Sequence, residues 1–319
     1  MRLTDDNDNS YIEDRRAETE GGGGGGGFGG GGFPIPIGRM GLGGTVLLLV
    51  LSLVFGRNFV GGGGPAVDDS GPPRSAPVAP GAYGAGGPGQ GAYAPGGVGA
   101  PVRETAEEHP DLSRARAVFN STQHTWDTLL PRQSGAQYRP ARLVLFRDAI
   151  QTGCGNAPAA VGPFYCPADE KVYLDLSFFD ELAKRFGAPG DFAQAYVVAH
   201  EMGHHLQKIL GTEARVRQAV AQRPQLQNAL SVRVELQADC YAGVWGSVVR
   251  NEQLLDPGDT QEALNAASAV GDDRLQRQET GQVRPDTFTH GTSAQRASWF
   301  QRGFQSGDIR SCDTFAGGI

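Results

Sequence analysis

The chain has 319 residues and a formal net charge of −7, and its composition is uneven along its length. The negative charge argues against a nucleic-acid partner, because such a protein needs a basic face. Most of the 48 glycines and 20 prolines precede residue 111, and a segment of that composition cannot bury a hydrophobic core. We therefore expect one globular domain, at residues 109–319.

The region before this domain divides into three predicted segments. Residues 1–38 are polar and glycine-rich, which is typical of a disordered tail. Residues 39–60 contain an uncharged apolar run, Met40–Phe55, whose length fits a single membrane-spanning helix. A cleavable signal peptide is the alternative, although no convincing cleavage site follows the run. Residues 61–108 form a linker rich in glycine, proline and alanine.

The arginines around the apolar run predict its orientation. Arg15, Arg16 and Arg39 precede the run, whereas Arg57 and Arg74 follow it. This slight bias favours a cytoplasmic tail, because positively charged residues are enriched on the cytoplasmic side of a membrane span. The chain would then be a single-pass protein of the cell membrane, with its globular domain outside the cytoplasm.

The cysteines are consistent with an exported domain. An even number of cysteines in such a domain indicates disulfides, and this chain has four: Cys154, Cys166, Cys240 and Cys312. The first two enclose a turn-rich segment and are expected to pair, which leaves the other two for each other. The other pairings remain open, as do four free thiols in a cytosolic protein. A four-cysteine zinc site is not expected, because the sequence contains no C-x-x-C pair.

Hydrophobic periodicity predicts a mainly helical α+β domain with a small β-sheet. Helices are expected at 111–130, 176–187, 191–211, 212–222, 225–250, 259–278 and 292–305. Strands are expected at 141–146 and 171–176. The second strand could pair with an extended peptide if it lies at the edge of the sheet, or it could be interior.

The segment YVVAHEMGHHLQ, residues 196–207, contains the pattern His-Glu-x-x-His. On a helix, His200 and His204 lie one turn apart on the face opposite an apolar stripe, and Glu201 lies on the same side. Two imidazoles at this spacing can bind one zinc ion, with the glutamate beside a water molecule. A chance match is the alternative. His205 lies near the apolar stripe and is interpreted as structural or as a support for a ligand.

A catalytic zinc site needs a third protein ligand. The extended H-E-x-x-H-x-x-G-x-x-H pattern is excluded, because Gln207 and Leu210 occupy its last two required positions. Glu235 is the candidate, and Asp239, one helical turn later, would accept a hydrogen bond from the second nitrogen of a ligand histidine. The alternatives are that both are solvated helix charges, or that Glu213 is the ligand, although it follows the second histidine closely.

With these motifs the chain resembles the bacterial family of neutral zinc metallopeptidases. The resemblance is carried by EDRR and a glycine tract near the start, the apolar segment, GPFYCP…VYLD, HEMGHH, ELQADCYAGVW and THGTSAQR…WF…C. It covers the whole globular domain and most of the anchor region. It implies a zincin-type fold, with the metal helix packed on a small sheet, in a membrane-anchored hydrolase. It does not supply a substrate.

The residue types predict a zinc-dependent peptide hydrolase acting on a peptide or protein substrate. The cofactor would be Zn²⁺, and three residues are expected to hold it: His200, His204 and Glu235. Glu201 would act as general base toward the attacking water. A further donor to the developing oxyanion is expected, and His290 in FTHGTS is the first candidate, with Tyr241 second. A capping or buried structural role is the alternative for His290.

Two other functions stay open at this point. The first is a zinc amide hydrolase that acts on the cell envelope and is not a peptidase. The second is a catalytically silent, zinc-containing binding module. Glu201 argues against the second, because a binding module needs metal ligands but no general base.

Overall fold

The computed structural model describes residues 1–4, 8–18 and 108–316. The predicted span Met40–Phe55 and the linker up to residue 107 lie outside these residues, so the anchor, its orientation and the domain boundaries stay predictions. Among the helices that the structure describes, none has the length and apolar character needed to cross a bilayer.

Helices make up most of the domain and begin and end close to the predicted residues. They are α1 (Glu108–Ser134), α2 (Ser177–Lys184), α3 (Asp191–Ile209), α4 (Thr212–Gln222), α5 (Gln227–Asn251), α6 (Asp259–Ala269), α7 (Asp272–Thr280) and α8 (Ser293–Ser306). The single helix predicted over 259–278 is wrong, because Gly271 is extended and separates α6 from α7. A side chain at Gly271 would collide with the backbone of Ser293, only 2.3 Å from an added Cβ atom.

The strands form one four-stranded sheet and a separate hairpin. The sheet strands are β1 (Ile12–Asp14), β2 (Arg142–Phe146), β5 (Phe164–Cys166) and β6 (Lys171–Asp175), and the hairpin strands are β3 (Ala149–Thr152) and β4 (Gly155–Pro158). The order in the sheet is β1-β2-β6-β5, with β5 antiparallel to β6 and the other neighbours parallel. The hypothesis that the strand at 171–176 lies at an edge is therefore wrong, since β6 is paired on both sides.

The sheet is buried on both faces, which explains why β2 and β6 are nearly continuous apolar runs. Leu143 and Leu145 of β2 face the main helical core, whereas Val144 and Phe146 face the β3–β4 hairpin. The helical core includes side chains from α1, α3, α5, α6 and α8. The helix carrying the His-Glu-x-x-His pattern, α3, thus lies between the sheet and α5.

The disordered tail predicted for residues 1–38 is wrong for residues 1–4 and 8–18, the part of it that the structure describes. Residues 12–14 form β1, which pairs in parallel with β2, and the side chains of Leu3 and Ile12 pack against the main core. The sequence pattern missed this strand because three residues are too few to show a period. Its stability depends on a partner strand far along the chain.

Both disulfides expected from the sequence are present, and they involve all four cysteines of the chain. Cys154–Cys166 links the β3–β4 hairpin to β5, and Cys240–Cys312 links α5 to the end of the described chain. The second bridge begins five residues after Glu235 and therefore holds the helix that carries the candidate third ligand.

Candidate metal centre

The two faces of α3 are both buried, but by different partners. Ala195, Val198, Met202 and Leu206 form the expected apolar stripe and belong to the main core. The opposite face, which carries the two ligand histidines, is covered by α5, so that His200 is only 6% exposed. Gly203 permits this contact, because a Cβ atom there would lie 2.9 Å from the backbone of Ala238.

The close approach of α3 and α5 brings three metal-binding side chains together. Donor atoms of His200, His204 and Glu235 all lie within 4.8 Å of one another. The Nε2 atom of His200 is 3.2 Å from one carboxylate oxygen of Glu235, and that of His204 is 3.6 Å from the other. Two imidazoles and one carboxylate form a donor set typical of catalytic zinc sites, so these residues fit a zinc ion.

Each imidazole is oriented by a hydrogen bond from its Nδ1 atom. His200 donates to Asp239 Oδ1 at 2.9 Å, and His204 donates to Gln207 Oε1 at 2.9 Å. Gln207 is itself held in place, because its amide donates to the carbonyl of Val234 at 2.7 Å. These bonds leave both Nε2 atoms directed toward the carboxylate of Glu235, as metal ligation requires.

Asp239 is the centre of a buried polar network that sequence reasoning predicted only in part. Arg296 of α8 donates to both of its carboxylate oxygens, at 2.8 and 2.9 Å, and the hydroxyl of Tyr196 donates at 2.6 Å. Burial would raise the pKa of Asp239, but Arg296 and His200 lower it below its usual range. The network therefore keeps the carboxylate charged and fixes the ring of His200.

Glu201 lies next to this site but is not one of the three converging donors. Its side chain is buried, and this burial raises the pKa of the carboxyl to about 7. The positive charges of His200 and Arg296 oppose part of that rise, as does a hydrogen bond from the main chain of Tyr165 in β5. A buried carboxylate with a pKa near neutrality is suited to accept a proton from water.

The two imidazoles differ in their protonation. Burial lowers the pKa of His204 to about 4, against the attraction of Glu235. Burial acts in the same direction on His200, but the carboxylates of Asp239 and Glu235 outweigh it and raise its pKa to about 9. Zinc must displace this proton, so its affinity for the site should fall as the pH falls.

His290 is held by a second buried carboxylate, that of Asp272 at the start of α7. The Nδ1 atom of His290 donates to Asp272 Oδ1 at 3.0 Å. The other oxygen accepts the main-chain N–H groups of Thr289, His290 and Gly291, at 2.8, 2.7 and 3.0 Å. Burial would lower the pKa of His290, but Asp272 raises it, and Glu235 is near enough to contribute to the same rise.

The structure places the other candidate residues away from the three donors. Tyr241 lies in the hydrophobic core with its ring edge-on to Trp126, so it offers no oxyanion donor. Glu213 lies on α4, where it forms an ion pair with Arg217 at 2.7 Å. His205 is fully buried, and its Nε2 atom donates to the carbonyl of Arg139 at 2.6 Å, which is a structural role.

Four residues of the site were not identified from the sequence: Tyr196, Gln207, Arg296 and Asp272. Gln207 had a local signal, because it lies three positions after His204 on the same helix. Tyr196 lies one turn before His200 on that helix. Arg296 lies in the segment THGTSAQR, which carried the family resemblance, but no local pattern links it or Asp272 to the site, since they lie on helices that reach it only through the tertiary fold. Arg296 is 57 residues from Asp239, its principal partner.

Comparison with known proteins identifies the family of the chain and two of its relatives. The sequence profile described as "Putative neutral zinc metallopeptidase" matches residues 92–315. The uncharacterized protein YpfJ of Escherichia coli K12 is 54% identical over 203 residues, which are 63% of this chain and 70% of the relative. The uncharacterized protein Rv2575 of Mycobacterium tuberculosis H37Rv is 47% identical over 214 residues, which cover 64% of this chain and 70% of the relative.

No solved structure matches the chain. The profile nevertheless spans the described domain almost completely, including both helices that carry the three donors. Zinc is the cofactor of this family, in agreement with the donor set of the site. The chain belongs to the neutral zinc metallopeptidase family.

Proposed function

We propose that the protein is a zinc-dependent peptide hydrolase. The observation that carries this proposal is the convergence of His200, His204 and Glu235 in a buried site, with Glu201 beside them but outside the ligand set. When bound, zinc supplies Lewis acidity that polarises a carbonyl group and lowers the pKa of water. The protein supplies the proton transfers and the orientation of the reacting groups.

Glu201 is the general base in this proposal. Its carboxylate accepts a proton from the attacking water and later passes that proton to the amine that leaves. The pKa of about 7 suits both roles, since proton transfer is efficient when the pKa of the catalyst lies near the working pH. Its neighbour Glu235 cannot share this role while its carboxylate holds the metal.

His290 is the proposed donor to the oxyanion that forms on the substrate carbonyl. Asp272 accepts the hydrogen of Nδ1 and raises the pKa of the ring, which favours the imidazolium form. An imidazolium carries a second N–H, at Nε2, and its positive charge stabilises an oxyanion more strongly than a neutral donor does. Asp272 positions and charges the ring and does not itself touch the substrate.

The substrate is proposed to bind in an extended conformation along β5. This strand ends the sheet on the side of α3, and the backbone N–H of Tyr165 reaches Glu201. A peptide added beside an end strand gains main-chain hydrogen bonds that do not depend on its sequence.

The compartment is also a proposal. Two disulfides that use all four cysteines favour an oxidising environment, outside the cytoplasm. The apolar run Met40–Phe55 lies outside the residues that the structure describes, so its contact with the cell membrane stays a prediction.

The test is digestion of casein and of a mixed peptide library by the purified, zinc-loaded full-length protein. We expect cleavage that stops after chelation and returns when zinc is added back. The Glu201→Gln protein, prepared identically, is the control for a contaminating peptidase. If the protein contains one zinc ion per chain but cleaves neither substrate, the peptidase proposal fails. Release of amide-linked fragments from purified cell wall would then support the envelope amide hydrolase.

A further inference from the structure

We propose that residues 8–18 and the domain of residues 108–316 lie in the same cellular compartment, because the first segment completes the β-sheet of the second. The sequence pattern suggested the opposite, a cytoplasmic tail and an external domain separated by one membrane crossing. The contacts of β1 decide between these two arrangements.

The main-chain pairing between β1 and β2 is continuous. Ile12, Glu13 and Asp14 lie opposite Leu143, Val144 and Leu145 in a parallel register. The hydrogen bonds continue past both ends of β1, since Leu143 N–H donates to Tyr11 at 2.9 Å and Arg15 N–H donates to Leu145 at 2.8 Å. β2 is five residues long, so most of this strand is paired with the N-terminal segment.

Side chains from two further elements hold the segment in place. Lys171 of β6 lies 2.8 Å from the carboxylate of Glu13, and Asn120 of α1 donates to the carbonyl of Asp8 at 3.0 Å. Ile12 packs against the main core. Arg16 is buried and forms an ion pair with Asp14 at 2.6 Å. A segment held by its backbone, by an apolar side chain and by contacts with two other elements is an integral part of the domain.

Without this segment, β2 would become the edge of the sheet. Its last four residues are all buried apolar side chains, distributed over both faces of the sheet. An edge strand of this kind presents unpaired N–H and C=O groups to any other strand, and natural domains normally cover such an edge. The segment therefore supplies cover that the domain needs.

Hydrogen bonds of this length cannot form across a membrane whose hydrocarbon core is about 30 Å thick. A single crossing at Met40–Phe55 would place residues 8–18 on one side and the domain on the other. If β1 pairs with β2 of its own chain, the chain therefore cannot cross the membrane once between residues 8–18 and the domain. The N-terminal segment of the same chain covers the β2 edge, whichever side of the membrane the domain lies on.

Cysteine accessibility in the full-length protein tests the compartment. All four native cysteines are in disulfides, so a single introduced cysteine is the only free thiol. We choose Asn9→Cys in the segment and Gln305→Cys on α8, because both residues are exposed in the structure. Each variant is treated with a membrane-impermeant maleimide in right-side-out and in inverted membrane vesicles.

We expect both cysteines to react in the same vesicle preparation, whichever one that is. Reaction of one cysteine in right-side-out vesicles and of the other in inverted vesicles overturns the proposal. This result is independent of peptidase activity, so a failure of the proposed function would not affect it.

A cross-link tests whether the docked segment belongs to the same chain. The pair Asp8→Cys and Asn120→Cys places two thiols at a contact seen in the structure, and each single variant is the control. A short bismaleimide should join them within one chain, giving a product of monomer size whose linked peptides contain residues 8 and 120. A dimer-sized product, or no product beyond that of the single variants, contradicts the proposal.

Discussion

At the scale of single residues, the two glutamates near the imidazoles have different surroundings and should have separable roles. Glu235 contacts both imidazoles, whereas Glu201 lies outside the group of three donors. We expect Glu201→Gln to bind zinc nearly stoichiometrically and to lose turnover by about 10²–10⁴-fold, the usual contribution of a general base. Metal analysis and kcat on the same sample measure the two effects. Wild-type turnover in this variant would exclude Glu201 as the base.

Glu235 should behave in the opposite way. Glu235→Ala removes one of three donors and should lower both zinc content and activity, because three protein ligands are the minimum for a catalytic zinc site. Glu213→Ala is the matched control, since Glu213 is also a buried glutamate but is paired with Arg217 away from the site. Loss of zinc from the Glu213 variant, with full zinc in the Glu235 variant, would show that the third ligand is misassigned.

The pKa of Glu201 leads to a prediction for the pH profile. Burial raises this pKa to about 7, and the base acts only when it is deprotonated. Activity should therefore rise as the pH rises through the pKa of Glu201. A bound zinc ion would lower this pKa to about 7 or below, because positive charge favours the carboxylate form. The dependence of kcat/KM on pH at saturating zinc measures it. An acid limb clearly above pH 7.5 would contradict this assignment.

At the scale of elements, the connection from α7 to α8 is organised around one carboxylate. Asp272 accepts three main-chain N–H groups and the side chain of His290, so it fixes both the loop and the ring. We expect His290→Ala to lose about 10²–10³-fold in kcat with zinc retained, as for the loss of an oxyanion donor.

Asp272→Asn should act in the same direction through His290. The amide oxygen can still accept the main-chain N–H groups, but the amide nitrogen that would face Nδ1 of His290 is a donor and cannot stabilise an imidazolium. We therefore expect kcat to fall while the zinc content stays unchanged. Combining the two substitutions should add little to the effect of His290→Ala, because both act on the same group. Additive losses would mean that Asp272 acts mainly on the structure of the loop.

At the scale of the whole molecule, the two disulfides close loops of very different length, with sequence separations of 72 and 12 residues. In the chain-entropy model, removing Cys240–Cys312 should lower the free energy of unfolding by about 4–5 kcal/mol, and removing Cys154–Cys166 by about 3 kcal/mol. Urea unfolding of the two double-alanine variants measures the difference.

Zinc content provides the second comparison between these two variants. Cys240 follows Asp239 on α5, and Gln237 donates to the carbonyl of Cys312 at 3.1 Å, so the Cys240–Cys312 bridge supports the ligand helix. Only its removal should weaken zinc binding. Equal zinc affinity in both variants would show that α5 is held by packing alone.

The sequence by itself determined those features that depend on local geometry. The spacing of His200 and His204 places both on one face of a helix whatever that helix contacts. Hydrophobic periodicity likewise predicted most helices and the strands β2 and β6. The number of cysteines and the turn-rich segment between the first two predicted both disulfides, because a short loop can close on itself.

Only the tertiary structure decided which groups surround those residues. It buried the ligand face of α3 under α5, brought Arg296 to Asp239, and placed Asp272 behind His290. It also made β6 interior and added β1 from the far end of the chain. These contacts join residues that are distant in sequence, and their energies come from packing and from pairing buried charges. A local pattern records which face of an element is apolar, but it does not record which other element covers that face.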